Sequence, residues 1–122
     1  MDLRHILLSF DGRISRQPFW LFLVGIGVIE SVLTLIFGVD SALGQLVLGL
    51  FNIVVIWPTL AVQIKRWHDR DKSGWWILIN LIPIIGWLWA LIENGFLRGT
   101  EGPNRFGADP LATSATAAIK QD

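Results

Sequence analysis

The sequence predicts an all-α integral membrane protein, with three transmembrane helices behind a short amphipathic helix at the membrane interface. Three observations predict it. Hydrophobic residues make up 52% of the 122-residue chain, too apolar for an ordinary soluble domain of that size. Three apolar runs nearly free of charge follow one another. Each is close to the ~20 residues that cross a ~30 Å hydrocarbon core at ~1.5 Å per residue. Lys and Arg are unevenly distributed among the connections, as in chains whose loops are sorted by charge.

The first element is the interfacial helix. Leu3, Ile6, Leu7 and Phe10 recur at i, i+3, i+4 and i+7, with Asp2, Arg4, His5 and Ser9 between them. That spacing gives one apolar face. Asp11-Gly12 breaks it, with Gly12 free to take a left-handed cap. No small-residue cleavage site follows, so no removable signal peptide is expected.

The first span runs from Phe19 to Phe37 and contains one charge, Glu30. Ser15 is its candidate N-cap, and Pro18 fits the first turn, where a missing N–H costs little. The second span, Ala42 to Ile64, is uncharged. Pro58 lies inside it and predicts a kink. The third run, Trp75 to Ile92, is also uncharged and contains Pro83 and Gly86. A full crossing is expected, because irregular backbone facing lipid is forbidden. The alternative is a re-entrant hairpin turning back at "PIIG". The polar end "LATSATAAIKQD" has no apolar periodicity and reads as a disordered tail. The division is therefore one membrane domain over 1–110 and a tail over 111–122.

Orientation follows from the bases. Arg4, Arg13 and Arg16 precede the first span, and Lys65, Arg66, Arg70 and Lys72 lie between the second and third. The first connection, "GVDS", has none. The positive-inside rule then places the N-terminus and the 65–74 segment in the cytoplasm.

Polar residues recur within the spans. Gly27, Glu30, Ser31 and Thr34 share one face of the first. Gln45, Gly49, Asn52, Ile56, Thr59 and Gln63 form a stripe along the second. Asn80, Pro83, Trp87, Ala90 and Asn94 do so in the third. Small residues allow close helix approach, and polar ones hydrogen-bond across it. Glu30 and Asn52 lie at matching depth, so a neutral Glu30 bonded to Asn52 would glue the bundle. The functional alternative is a proton- or cation-coupled site at Glu30.

The segment "KRWHDRDKSGWW", residues 65–76, gathers the most charge. His68, Asp69 and Asp71 lack the spacing of a metal site, so neither metal nor cofactor is expected. Net charge is zero, which gives nucleic acid no global field to follow. The plain reading is a topology signal, with tryptophans at headgroup level and bases on anionic lipid headgroups. The sharper one is an ordered polar cap. In it Arg13, Ser15 and Arg16 would meet Arg66, His68, Asp69, Asp71, Ser73 and Gly74, with an arginine forking onto an aspartate.

Three motifs in order carry a resemblance: Phe10 to Trp20, with Gly-Arg-x-Ser-Arg; Arg66 to Trp76, with His-Asp and Ser-Gly-Trp-Trp; and Gly99 to Pro110, containing Gly99, Asn104, Gly107 and Asp109. By these the chain resembles the domain of unknown function 805 family, the YhaH-like bacterial proteins. Phe106 stands where that pattern has Tyr, and Asp71-Lys72 where small residues are common. The resemblance implies a small multi-span protein of the bacterial cytoplasmic membrane and no particular reaction. The functional expectation is a structural or interaction module, self-associating or bound to other membrane proteins. A small oligomeric transporter or channel using Glu30 is the alternative, and a membrane enzyme at 65–76 the third.

Overall fold

The computed structural model describes residues 2–111. Apart from Leu111, the expected tail lies outside the described residues. The fold is all-helical. α1 (Leu3–Leu8) is capped by Asp2, whose carboxylate accepts from the Arg4 and His5 amides at 3.0 and 3.5 Å. α2 (Arg16–Phe37) follows Ser15, which sits at the N-cap but makes no side-chain cap bond. Gly38 ends it, at φ 75°.

The second apolar run forms α3 (Ala42–Val54) and α4 (Ile56–Asp69), nearly continuous. The break at Val55 has a covalent cause. Pro58 has no N–H to give the Val54 carbonyl, and its ring crowds that turn. α4 continues beyond the expected end at Ile64, so residues 65–69 are its last turns rather than a loop. α2 and the α3–α4 pair are both long and apolar enough to cross a membrane. They meet tightly at their connection, where a Cβ on Gly44 would overlap the Gly38 carbonyl.

The third run is not one continuous helix, and a third crossing is not borne out. It breaks into a 3-10 helix (Gly74–Leu81), then α5 (Ile85–Leu91), then a π turn (Ile92–Phe96). Pro83 has no N–H to continue the helical ladder, and Ile84 sits at φ 63°, ψ −66°. The Ile85 amide reaches the Pro83 carbonyl at 2.7 Å. That is a γ-turn of the strained hand, rare for a β-branched residue. The run therefore doubles back, and its end returns to the polar cluster where it began. Gly86 lies against the Ile79 carbonyl of the opposite limb, where a Cβ would overlap it.

The stripes also differ from expectation. Gly27, Ser31, Gln45, Gly49 and Asn52 are exposed, while Glu30, Thr34, Thr59 and Gln63 are half-buried. The core lies at one end of the molecule. Ile6, Ile14, Phe19 and Val62 form it, with Leu7, Trp20, Phe22 and Leu23 packed around them. α1, the start of α2, the end of α4 and the π turn converge there, and this convergence positions the polar cap.

Candidate functional site: a buried polar cap

Asp69, the last residue of α4, is the centre of the cap. Its Oδ1 accepts from Arg13 Nε at 3.0 Å and lies 2.9 Å from Arg13 Nη2. Its Oδ2 accepts from Arg66 Nη1, one turn earlier on the same helix. All three side chains are buried. One carboxylate cannot balance two guanidiniums, and the remaining donors go to backbone carbonyls. Arg13 reaches Thr100 O at 2.6 Å and Gly102 O at 2.7 Å. Arg66 reaches Asn94 O at 2.6 Å, Leu97 O at 2.9 Å and Ile14 O at 3.0 Å. The Asn94 and Leu97 carbonyls belong to the end of the π turn, where the helix dipole favours a cation. The planar five-donor fork of arginine makes this possible, and a lysine could not reproduce it.

Lys65 is buried next to them. Its ammonium donates to the His5 carbonyl and, at 2.6 Å, to that of Ile6. It thereby ties the end of α1 onto α4. His68 Nδ1 lies 2.8 Å from the Gly12 carbonyl, so the bond assigns the proton to Nδ1. Gly12 is at φ 90° and closes against the His5 ring.

The C-terminal motif completes the cap. The Thr100 amide donates to the Asp69 carbonyl at 2.6 Å. Gly99 lies so close that a Cβ there would overlap the Asp69 carboxylate. Asn104 and Gly107 exchange backbone bonds at 3.0 and 3.1 Å, forming a tight turn with Phe106 at its tip. Phe106 stacks on the His68 ring at 3.9 Å and 3°. Asn104 donates to the His68 carbonyl at 2.9 Å. Asp109 accepts from the Gly102 amide at 2.9 Å. Burial would raise the Asp109 carboxyl. The amides of Leu111 and Gly102, with Arg13 and Arg98 nearby, outweigh that and lower it.

The remaining candidates are more peripheral. Arg16 donates to the Phe96 carbonyl at 2.8 Å. Asp71, at φ 58°, does not join Arg13; it pairs at the surface with Arg105 at 3.3 Å. Ser73 accepts from the Trp75 amide at 3.2 Å and caps the 3-10 helix. Gly74 packs beside Ile64 and His68. Glu30 and Asn52 lie away from the cap, with Asn52 Nδ2 3.4 Å from Glu30 Oε1 and 2.8 Å from Leu48 O. Asn80 donates to Gln63 at 2.7 Å, joining the second and third stripes. No group of three potential metal-ligating side chains occurs among the described residues.

Sequence reasoning missed Glu93. It accepts from Lys72 at 2.5 Å and from Trp89 Nε1 at 3.0 Å, with Arg70 Nε at 3.6 Å. Lys72 also lies 4.6 Å from the centre of the Trp76 ring. Burial would raise the Glu93 carboxyl. The Lys72 and Trp89 hydrogen bonds outweigh it and hold it below its usual value. The available signal was a lone acid directly after an apolar run, opposite a basic segment at that run's other end.

Residues 7–108 match the family described as "Protein of unknown function (DUF805)". The chain is 41% identical over 111 residues to "Inner membrane protein YhaH" of Escherichia coli K12, covering 84% of this chain and 88% of that one. It is 40% identical over 106 residues to "Inner membrane protein YhaI" of the same organism, covering 84% and 86%. "Uncharacterized protein YiiR", also from that strain, is 29% identical over 133 residues, covering 89% and 90%. No solved structure matches. The three motifs that carried the resemblance form one cap, and with these matches the chain belongs to the DUF805 family of bacterial inner-membrane proteins.

Proposed function

We propose that the protein is a structural or interaction module of the inner membrane. In this reading α2 and the α3–α4 pair cross the bilayer, and the third run dips in and returns to the cytoplasmic face. The observation that carries it is how the cap uses its charges. Arg13, Lys65, Arg66 and Asp69 are buried and bonded to the chain's own carbonyls and to one another. Such groups hold a fold in register instead of facing a substrate. Two surfaces remain for partners. One is the rim of Arg98, Glu101, Arg105 and Asp71, two exposed ion pairs suited to a cytoplasmic partner with charges of both signs. The other is the exposed stripe of Gln45, Gly49 and Asn52, which suits a partner helix, including one from a second copy.

The orientation has the N-terminus in the cytoplasm. Arg4, Arg13, Arg16, Lys65, Arg66, Arg70, Lys72, Arg98 and Arg105 all gather at the cap end, and the Gly38–Ser41 connection has no base. That is the asymmetry the positive-inside rule reads.

The test is photo-crosslinking in cells from positions 49 and 105. The module reading expects discrete protein adducts from at least one of them. Adducts with lipid alone at both positions would sink it. A second reading, an oligomeric transporter or channel, rests on the Glu30–Asn52 pair, the acid within the apolar spans and its amide. Loss of proton or cation flux in Glu30→Gln, at unchanged membrane level, would favour it.

A further inference from the structure

In the module reading the exposed face of α3 meets hydrocarbon, not water. Asn52 lies ten residues past Ala42, the start of that helix. At ~1.5 Å per residue that is about 15 Å, half the depth of a ~30 Å core. Asn52 is exposed there, and Gln45 is exposed two turns earlier. Both bond within the chain through nitrogen alone. Asn52 Nδ2 reaches Leu48 O at 2.8 Å and Glu30 Oε1 at 3.4 Å, and Gln45 Nε2 reaches Val39 O at 3.5 Å. Among the described residues, Asn52 Oδ1 and Gln45 Oε1 have no partner. Water would meet such oxygens at a soluble surface; hydrocarbon cannot, and an unmet amide there is costly. Polar side chains within spans accordingly face protein. The third run does not supply that protein, because Asn80 is bonded to Gln63 on α4 at 2.7 Å.

Spacing and shape describe the missing helix. Gln45, Gly49 and Asn52 are four and three residues apart, the seven-residue rhythm of paired helices. A Cβ on Gly49 would meet nothing within 4 Å, so a second backbone can approach closely at that level. Leu46, Leu50 and Ile53 flank the stripe and are all exposed. The partner must also present a polar group at the depth of Asn52. Two copies inserted alike carry the same residue at each depth. A two-fold axis along the membrane normal sets α3 beside α3 in parallel, with Asn52 facing Asn52 and Gln45 facing Gln45. A carboxamide holds a donor and an acceptor, so each pair is self-complementary, as an isologous contact requires. The long bond to Glu30 is the one Asn52 exchanges for the oxygen of its counterpart.

We infer that the α3 stripe is a two-fold contact between two copies of this chain, closed by Asn52 and Gln45 around Gly49. This rests on the module reading and commits its membrane-facing stripe to one partner.

The chain has no cysteine, so single cysteines report the contact through disulfides formed in native membranes. On mild oxidation Gly49→Cys and Ile53→Cys should dimerise at least fivefold more than Leu35→Cys and Val54→Cys. Those two positions are 86% and 71% exposed but lie off the stripe. Two differently tagged copies, co-expressed, should meet in the dimer band. Asn52→Leu added to Gly49→Cys should cut the yield at least fivefold, while Asn52→Gln, which restores an amide, should keep most of it. No dimer at 49, equal yields at all four positions, or a yield unmoved by a folded Asn52→Leu would overturn the inference. The comparison among positions 35, 49, 53 and 54 decides even if Asn52→Leu fails to fold. Such a failure together with adducts to another protein from 49 or 105 would leave the module reading standing. No protein adduct from either position would sink both.

Discussion

Arg13 and Asp69, 56 residues apart in sequence, meet in the buried cap with Nε 3.0 Å from Oδ1. The pair joins the segment before α2 to the end of α4, and through Thr100 and Gly102 to the C-terminal motif. Removing one partner of such a buried pair strands the other. Arg13→Lys and Asp69→Asn should each cost roughly 2–4 kcal/mol, with a coupling of about 1–3 kcal/mol between them. Unfolding of the four proteins in detergent measures the cycle. Strict additivity would show that the two side chains act independently.

Gly99→Ala should lower the unfolding midpoint markedly, because its Cβ would overlap the Asp69 carboxylate. Something in the cap must shift, at a cost of about 1–3 kcal/mol. Gly25→Ala is the control, with nothing within 4 Å of its added Cβ. Equal midpoints for the two variants would contradict this packing.

Acid should weaken the Glu93 cluster. Its carboxyl is depressed in the folded state, below an ordinary value of 4.5. Stability from a depressed acid is complete above the unfolded value and is lost as pH falls through the folded one. Unfolding of the unaltered chain should therefore become easier below about pH 4.5, where an ordinary glutamate begins to protonate. In Glu93→Gln that part of the acid dependence should disappear. An unchanged acid limb in the variant would rule the cluster out as its source.

Glu30→Gln should leave stability unchanged, since an amide can still meet Asn52. Glu30→Leu should cost less than about 1 kcal/mol, because Asn52 keeps its bond to the Leu48 carbonyl at 2.8 Å. A larger loss would mean that a second chain contacts Glu30 in the membrane.

Cysteine labelling tests the topology. A cysteine at position 40 should react with an impermeant reagent added outside the cell. Cysteines at 71 and 105 should both be protected until the membrane is opened. Labelling at 105 from outside would restore a third crossing and break the cap apart.

Composition and periodicity were enough for the membrane class, the two long helices and the amphipathic start. Those are local properties: run length, i/i+3/i+4 spacing and the absence of charge act within a few turns. Pairing an arginine with an aspartate was legible too, since both residue types stood in motifs flanking the same spans. The choice of partner was not. Asp69 is reached by Arg13 because α4 runs on past Ile64 and buries it, while Asp71, past the helix end, turns out to solvent at φ 58°. The third run shows the same limit. Its length suits a crossing, and Pro83 with Gly86 allows a return. The return is decided by long-range bonds that close only if both ends are together: Lys72 with Glu93, Thr100 with Asp69, and Arg66 with the carbonyls at the end of the π turn. A sequence window contains none of those distances. The exposed stripe on α3 follows from the same geometry, because doubling back places the third run against α4 at Gln63 and leaves Asn52 uncovered.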